Sequence, residues 1–239
     1  MTRLFAHRGF VTKNINQNSI ESLNAAYANN FCAIEFDIWF LEEKLFLKHD
    51  APKKSELKNL LQLKDYFCFG NQFDYWLDFK NLDEKNVDRA LVAVKKEIST
   101  IGLDLKRIYF APFITDYKKS AKILAKIRKY FGSKANIVGV CEKLKDFDDI
   151  KTLREFLTKN KIKHLSIYHG LLDKTMSKIF SDIEFFAWTV NDIITLKTLQ
   201  DLGVKNFATD TITPRIYDKK FATKAASRWT QISHQKKIS

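Results

Sequence analysis

Short apolar runs alternate with longer amphipathic segments along almost the whole chain. The short runs are typical of strands, and the longer segments repeat apolar residues every three to four positions, which is typical of helices. We predict strands over residues 3–9, 32–40, 45–49, 75–80, 108–113, 136–141, 164–168, 185–190 and 206–209. We predict helices over residues 18–29, 55–63, 83–101, 117–131, 149–160, 173–180 and 192–202.

The strands and helices follow one another in β-α alternation, which predicts an α/β protein with a parallel sheet. A chain of 239 residues fits a (β/α)8 TIM barrel, which typically takes ~250 residues. An open doubly wound sheet is the alternative, but it normally carries a glycine-rich phosphate loop after its first strand, and residues 7–10 (HRGF) are not one. We expect a single barrel domain over residues 1–220 and a basic C-terminal tail or short helix over residues 221–239.

Polar side chains follow several of the predicted strands at the point where each strand ends. They are His7, Arg8, Asp37, Lys80, Asn191 and Asp210. Parallel barrels bring the carboxyl ends of their strands to one face, where their active sites are built. The sequence therefore predicts that these side chains surround one site.

Acidic residues alternate with apolar residues in two of the predicted strands. Glu35 and Asp37 are two positions apart, so both side chains project from the same face, and Asp78 occupies a similar position in its own strand. Acids on the inner face of a barrel are costly unless a cation or hydrogen-bond donors compensate them. Solvent-facing acids at the strand edges are the alternative, but three carboxylates together suit a hard divalent ion, Mg²⁺ or Ca²⁺.

Two histidines close strands near these acids. His7 and His49 could act as a general acid and base, one removing a proton from the attacking oxygen and the other protonating the leaving oxygen. Arg8 could fork onto phosphate oxygens, and a surface salt bridge is its alternative role. We interpret this combination as chemistry for cleaving a phosphodiester.

Three further residues are weaker candidates for substrate binding. Trp188 could wall the pocket or lie in the core. Asn191 could hydrogen-bond a substrate, or it could cap the helix that begins at position 192. His169 ends the sixth strand of the alternation and could contact phosphate.

Composition and charge restrict the class of protein. The formal net charge of +13 favours anionic ligands, including anionic lipid at a membrane surface, although a solvated lysine surface also explains it. No nucleic-acid motif accompanies the charge. The odd, widely spaced set Cys32, Cys68 and Cys141 indicates buried free thiols in a reducing compartment. We see no signal peptide and no apolar run near the ~20 residues of a membrane span, so we expect a cytoplasmic protein.

Several motifs, taken in order and spacing, resemble the glycerophosphodiester phosphodiesterases, a family of TIM barrels related to phosphatidylinositol-specific phospholipase C. The resemblance runs from about residue 4 to residue 210. The motifs are HRG at 7–9, QNS at 17–19, IEFD at 34–37, HD at 49–50, LDFK at 77–80, WTVN at 188–191 and TD at 209–210.

The resemblance implies a function and a role for each matching residue. It implies that His7 and His49 are the general acid and base, and that Glu35, Asp37 and Asp78 are ligands of one divalent ion. Arg8 and Lys80 would hold the phosphate. The implied reaction is hydrolysis of a glycerophosphodiester to glycerol 3-phosphate and an alcohol.

The chain departs from the family pattern at three points. Gln17 stands where the family usually has Glu, and Asp78 stands where the third metal acid is usually Glu. Only a short segment separates Asp50 from Asp78, so we expect no large insertion domain and an open pocket that leaves room for a lipid-like substrate.

Two other functions remain open at the level of the sequence. The Asp-x-Lys pattern at Asp78 and Lys80 is similar to the sphingomyelinase D branch, which suggests a phospholipase-D-like or cyclising enzyme acting on phospholipid. A non-catalytic barrel that binds anionic lipid is the other alternative.

Overall fold

A closed barrel of parallel strands forms the centre of the computed structural model, which describes residues 2–144 and 147–221. The strands are β1 (Arg3–His7), β2 (Ala33–Leu41), β3 (Lys44–Leu47), β4 (Asp74–Phe79), β5 (Ile108–Pro112), β6 (Asn136–Cys141), β7 (His164–Tyr168), β8 (Glu184–Trp188) and β9 (Asn206–Thr209). β1 pairs in parallel with both β2 and β9, which closes the ring. β3 is antiparallel to β2 and lies outside the ring, so the eight other strands make the predicted (β/α)8 barrel.

Helices connect the strands on the outside of the barrel. They are α1 (Ile20–Ala28), α2 (Leu63–Tyr66), α3 (Val87–Ile101), α4 (Tyr117–Phe131), α5 (Phe147–Lys159), α6 (Lys174–Ile179), α7 (Ile193–Asp201) and α8 over residues 214–221. The side chains of Asp116, Asp173 and Asp192 accept hydrogen bonds from backbone N–H groups in the first turns of α4, α6 and α7. These caps satisfy donors that have no partner within a helix.

The predicted helix over residues 55–63 is wrong. The segment forms a 3₁₀-helix over Lys54–Asn59, continues in extended conformation, and becomes helical again only at Leu63. The Leu47 backbone N–H donates to the Leu61 carbonyl over 2.9 Å. Pairing with the free edge of β3 therefore competes with the helix that the leucine spacing predicts.

Two apolar layers hold the barrel together. Outward-facing residues of the strands, such as Ile34, Phe36 and Ile38 in β2, pack beneath the helices in the larger core. The inner layer fills the barrel and comprises Phe5, Ala33, Trp76, Tyr109, Ala111, Val138, Val140, Phe186 and Ala208. The alternation of side chains along each strand sends one set outward and the next inward, and it carries the predicted acids to the inner face.

The three cysteines differ in burial. Cys141 is buried in β6, but the predicted burial is wrong for Cys32 and Cys68. Cys32 is exposed in the bend before β2, and Cys68 is exposed in the 3₁₀-helix over Phe67–Gln72. The predicted basic tail or short helix of residues 221–239 lies, beyond residue 221, outside the described residues. Among the helices that are described, none is long and apolar enough to cross a membrane.

Candidate active site

The chain turns sharply where β1 ends. Arg8 and Gly9 both have positive φ values, 57° and 79°. A Cβ atom on residue 9 would lie 2.2 Å from Ser22 Oγ, so this close approach of the turn to α1 requires glycine. The Asn18 N–H donates to the Arg8 carbonyl over 2.9 Å and fixes the returning loop. The turn leaves Arg8 Nε 3.2 Å from Asp37 Oδ2 in β2.

Strand register brings three acids together at the carboxyl end of the barrel. Asp37 pairs with Asp78 across β2 and β4, and His7 pairs with Glu35 across β1 and β2. Glu35, Asp37 and Asp78 each offer one oxygen atom, and these atoms lie within 4.8 Å of one another. The predicted acidic cluster therefore forms, with Glu35 and Asp37 buried and Asp78 half-buried.

Asp37 is the most strongly compensated acid of the cluster. Its Oδ1 lies 2.9 Å from Lys80 Nζ, and its Oδ2 accepts a hydrogen bond from Asn18 Nδ2 over 2.9 Å. Burial acts to raise the pKa of Asp37, but the charges of Lys80 and Arg8 and the Asn18 hydrogen bond outweigh burial and lower the pKa. Asp37 is therefore ionised throughout the neutral range.

Glu35 and Asp78 are poorly compensated. Burial, and then the charges of Asp37 and Asp78, raise the pKa of Glu35 well above its usual range. Burial is also the main reason that the pKa of Asp78 rises to about 6, although Lys80 Nζ lies 2.7 Å from Asp78 Oδ2. The two carboxylates favour a proton or another cation beside them.

His7 is oriented by an acid from the last strand of the barrel. Its Nδ1 lies 2.8 Å from Asp210 Oδ1, and its Nε2 lies 3.8 Å from Glu35 Oε2. Because a carboxylate only accepts hydrogen bonds, Nδ1 carries the proton and Nε2 faces the acidic cluster. Asn191 Nδ2 donates to Asp210 Oδ2 over 2.9 Å and holds that acid in place.

His7 and the acidic cluster line a cleft, and His49 lies at its mouth. It follows β3, and its side chain is 38% exposed. Its Nδ1 lies 2.9 Å from Asp50 Oδ1, which gives the second imidazole a carboxylate partner as well. The cleft therefore has one half-buried histidine, His7, beside the acids and one more exposed histidine, His49, at its opening.

Aromatic side chains line the cleft below and beside these charged groups. Trp76, Phe113 and Trp188 all contribute to its walls, together with Ser166 and Glu142. Trp188 Nε1 donates to Ser166 Oγ over 2.9 Å. Trp76, Phe113 and Ser166 are not among the site residues that the sequence predicts. The signal for Trp76 was present, because it lies two positions before Asp78 in an alternating strand.

Solved structures of glycerophosphodiester phosphodiesterases share this barrel. The enzyme from Parabacteroides distasonis has a TM-score of 0.71 and 21% identity, over 94% of this chain and 98% of that chain. A phosphodiesterase from Oleispira antarctica, in complex with the product sn-glycerol-3-phosphate, has a TM-score of 0.68 and 16% identity, over 90% of this chain and 95% of that one. The enzyme from Agrobacterium tumefaciens has a TM-score of 0.63 and 13% identity, over 88% and 96%.

The chain has the fold of the glycerophosphodiester phosphodiesterases. No protein-family model matches the chain, and no curated protein matches its sequence. The resemblance that the motifs suggest therefore extends to the fold, over nearly the full length of each compared structure.

Most of the predicted site residues meet in this cleft. His7, Arg8, Glu35, Asp37, His49, Asp78, Lys80 and Trp188 all line it. Asn191 and His169 are not among its lining residues. Asn191 instead holds Asp210, and the cap of α7 is Asp192 rather than Asn191. His169 lies in a turn after β7, where its ring packs against Tyr168 at 4.7 Å between centroids.

The acidic cluster fits a divalent metal ion. Three carboxylates face two cations, Arg8 and Lys80, which leaves an excess of one negative charge when all are ionised. Asp78 Oδ1 is buried and has no hydrogen-bond partner among the described residues. Carboxylate oxygens that can still coordinate a metal suit a hard ion such as Mg²⁺ or Ca²⁺.

Proposed function

We propose that the protein is a metal-dependent phosphodiesterase that hydrolyses a glycerophosphodiester to glycerol 3-phosphate and an alcohol. The observation that carries this proposal is the meeting of His7, the three carboxylates and two cations in one cleft at the carboxyl end of the barrel. The fold likeness supports it, and one structure with that fold holds glycerol 3-phosphate as its product.

Arg8 and Lys80 are proposed to bind the phosphate. Both side chains lie beside Asp37 at the cleft, with distances of 3.2 Å and 2.9 Å to its oxygens. Glu35, Asp37 and Asp78 would hold the divalent ion, which supplies charge neutralisation at the phosphate and lowers the pKa of an attacking hydroxyl. Asp37 fixes both cations in place, so the phosphate meets a preorganised site.

His7 and His49 are proposed as the acid-base pair. A hydroxyl of the glycerol next to the ester would lose its proton to one imidazole while its oxygen attacks phosphorus. The other imidazole would give a proton to the oxygen of the leaving alcohol. Water would then open the resulting cyclic phosphate, with the two histidines in exchanged roles, and yield glycerol 3-phosphate.

A cyclising or phospholipase-D-like reaction on phospholipid is the second candidate. It is favoured by the Asp78 and Lys80 pair, which is in direct contact over 2.7 Å, and by the open mouth of the cleft at His49. This reaction would leave a cyclic phosphate or a phosphatidic product, whereas the first reaction yields free glycerol 3-phosphate.

Turnover of purified protein tests the proposal. We would follow release of glycerol 3-phosphate from a panel of glycerophosphodiesters with Mg²⁺, Ca²⁺ or EDTA, for the wild type and His7→Ala. His164→Gln at the opposite end of the barrel is the matched histidine control. Metal-dependent release that is lost only in His7→Ala supports the proposal. If no ion gives turnover of these diesters or of phospholipids, and His7→Ala still binds anionic vesicles as the wild type does, a lipid-binding barrel is the better interpretation.

A further inference from the structure

Uncharged side chains line part of the cleft beside its charged residues. Trp76 lies on β4 two residues before Asp78, lines the cleft and is 2% exposed. Its indole Nε1 has no hydrogen-bond partner within the described parts of the chain. A buried donor without an acceptor is rare in folded proteins and calls for an explanation.

Packing fixes the position of the Trp76 indole but provides no hydrogen-bond acceptor for its N–H group. The ring makes edge-to-face contacts with Phe5 and Phe186, with centroid distances of 5.5 Å and 5.2 Å. These contacts orient the ring on the inner face of the barrel but offer no acceptor atom. The N–H group is therefore held in a defined position with its hydrogen bond unmade.

Ser166 provides a second donor in the same layer. It is 1% exposed, lines the cleft, and pairs in register with Phe186, the residue that contacts Trp76. Ser166 Oγ accepts the hydrogen bond from Trp188 Nε1, so its own hydroxyl proton remains to be donated. Residues 2–144 and 147–221 show no acceptor bonded to it.

We propose that Trp76 and Ser166 form a neutral subsite that binds a hydroxyl oxygen of the glycerol half of the substrate. The proposal rests on the proposed function. Both donors are uncharged, and Glu35 on the neighbouring strand pairs in register with Trp76, so they suit a neutral acceptor better than a second phosphate. The pair would select glycerol as the alcohol that remains esterified to the phosphate in the product.

The geometry of β4 supports the assignment to the glycerol half. Two residues of strand span ~6.6 Å, so the Cα atom of Trp76 lies about that far from the Cα atom of Asp78 along β4. That separation is comparable to the reach of a three-carbon chain from its phosphate to its far hydroxyl. The leaving alcohol then faces the open mouth at His49, where the site would tolerate different head groups.

Binding of product analogues tests the subsite. We would measure affinity by calorimetry for sn-glycerol 3-phosphate, propane-1,2-diol 1-phosphate and propane-1,3-diol 1-phosphate. The first analogue lacks the hydroxyl farthest from the phosphate, and the second lacks the middle hydroxyl. The wild type is expected to bind glycerol 3-phosphate about three- to tenfold more tightly than propane-1,2-diol 1-phosphate. Trp76→Phe keeps the aromatic packing and is expected to lose that preference while binding the analogue as the wild type does.

Tyr109→Phe is the matched control. Tyr109 belongs to the same inner layer and also contacts Phe5 and Phe186, but its hydroxyl is bonded to Arg3. This variant is expected to keep the full preference. Ser166→Ala is expected to reduce the preference as Trp76→Phe does.

The remaining outcomes separate the subsite from the function. If Trp76→Phe keeps the preference, the indole N–H does not bind the hydroxyl and the subsite proposal is wrong, while turnover by the wild type still supports the phosphodiesterase. If Trp76→Phe weakens all three ligands equally, the effect is one of packing and the subsite proposal is again wrong. If the wild type neither binds these phosphates nor cleaves the diesters, the proposed function fails first and the subsite fails with it.

Discussion

The pairing of His7 with Asp210 determines which nitrogen of the imidazole faces the acidic cluster. The two residues are 203 positions apart in sequence, yet Nδ1 and Oδ1 lie 2.8 Å apart because barrel closure sets β9 beside β1. Asn191 adds two hydrogen bonds to Asp210, one to its carboxylate and one from its backbone N–H. A carboxylate anchored in this way holds the proton on Nδ1 and leaves Nε2 free for the proposed acid-base step.

Asp210→Asn tests this orientation. An amide at residue 210 can donate to Nδ1, which moves the imidazole proton to Nε2 and removes its basicity there. We expect kcat on a glycerophosphodiester to fall by about 10²- to 10⁴-fold with a small change in KM. Steady-state kinetics provide the measurement. Asp182→Asn, which removes a carboxylate paired with Lys163 and Arg154 far from the cleft, is expected to keep wild-type kcat. A similar loss in both variants would contradict the prediction.

Residues whose roles depend on their neighbours in the chain are predictable from the sequence. Glu35 and Asp37 alternate with apolar residues in one strand, so their shared face was predictable. The role of Asn191 was not, because its side chain is engaged by Asp210 from a different strand. Alternation with Asp78 places Trp76 on the inner face of β4, but only the assembled inner layer shows that its N–H has no partner among the described residues.

At the scale of elements, strand register determines the site and local propensity determines only where strands and helices lie. Parallel pairing of β2 with β4 sets Asp37 opposite Asp78, and any shift by one residue would turn one acid outward. The predicted helix over residues 55–63 fails for the same kind of reason, since pairing with β3 overrides leucine spacing. Contacts between elements therefore decide what the pattern of one segment leaves open.

The turn between β1 and α1 depends on Gly9. Gly9→Ala would combine a positive φ of 79° with a Cβ 2.2 Å from Ser22 Oγ. Gly203→Ala shares the positive φ, 90°, but its Cβ meets nothing within 4 Å. We expect Gly203→Ala to lower the free energy of unfolding by ~1–2 kcal/mol and Gly9→Ala to lower it by ~1–3 kcal/mol more. Urea unfolding measures both, and equal losses would show that the close approach to Ser22 is relieved at no cost.

At the scale of the whole molecule, closure of the barrel creates the site and also lowers the stability of the fold, because it collects negative charge. β-α alternation made the fold predictable, because eight parallel strands usually close into a barrel in which every strand pairs with two neighbours. The same closure gathers Glu35, Asp37 and Asp78 into a buried cluster with one unbalanced charge. Removal of the proposed cation is therefore expected to destabilise the protein.

The pH dependence of stability should show the cost of ionising these buried carboxyl groups. Because burial raises the pKa of Asp78 to about 6, the folded metal-free protein holds this proton more tightly than the unfolded chain does. The stabilising contribution is complete below the usual carboxyl pKa near 4 and is lost as the pH rises through about 6. From the size of the shift, the loss amounts to about 3 kcal/mol, to which Glu35 adds in the same direction.

A divalent ion should reverse that loss, because it replaces the proton that the site gives up. We expect Mg²⁺ or Ca²⁺ to raise the midpoint of thermal unfolding more at pH 7.5 than at pH 5, relative to EDTA. In Asp78→Asn the metal effect should shrink at both pH values, and the protein without metal should lose less stability between them. Asp88→Asn on α3, whose carboxylate pairs with Lys126 at the surface, is the control and should respond to metal as the wild type does. A metal effect of equal size in Asp78→Asn would mean that the ion binds elsewhere, and the carboxylate cluster would then need its protons, not a metal, to remain buried.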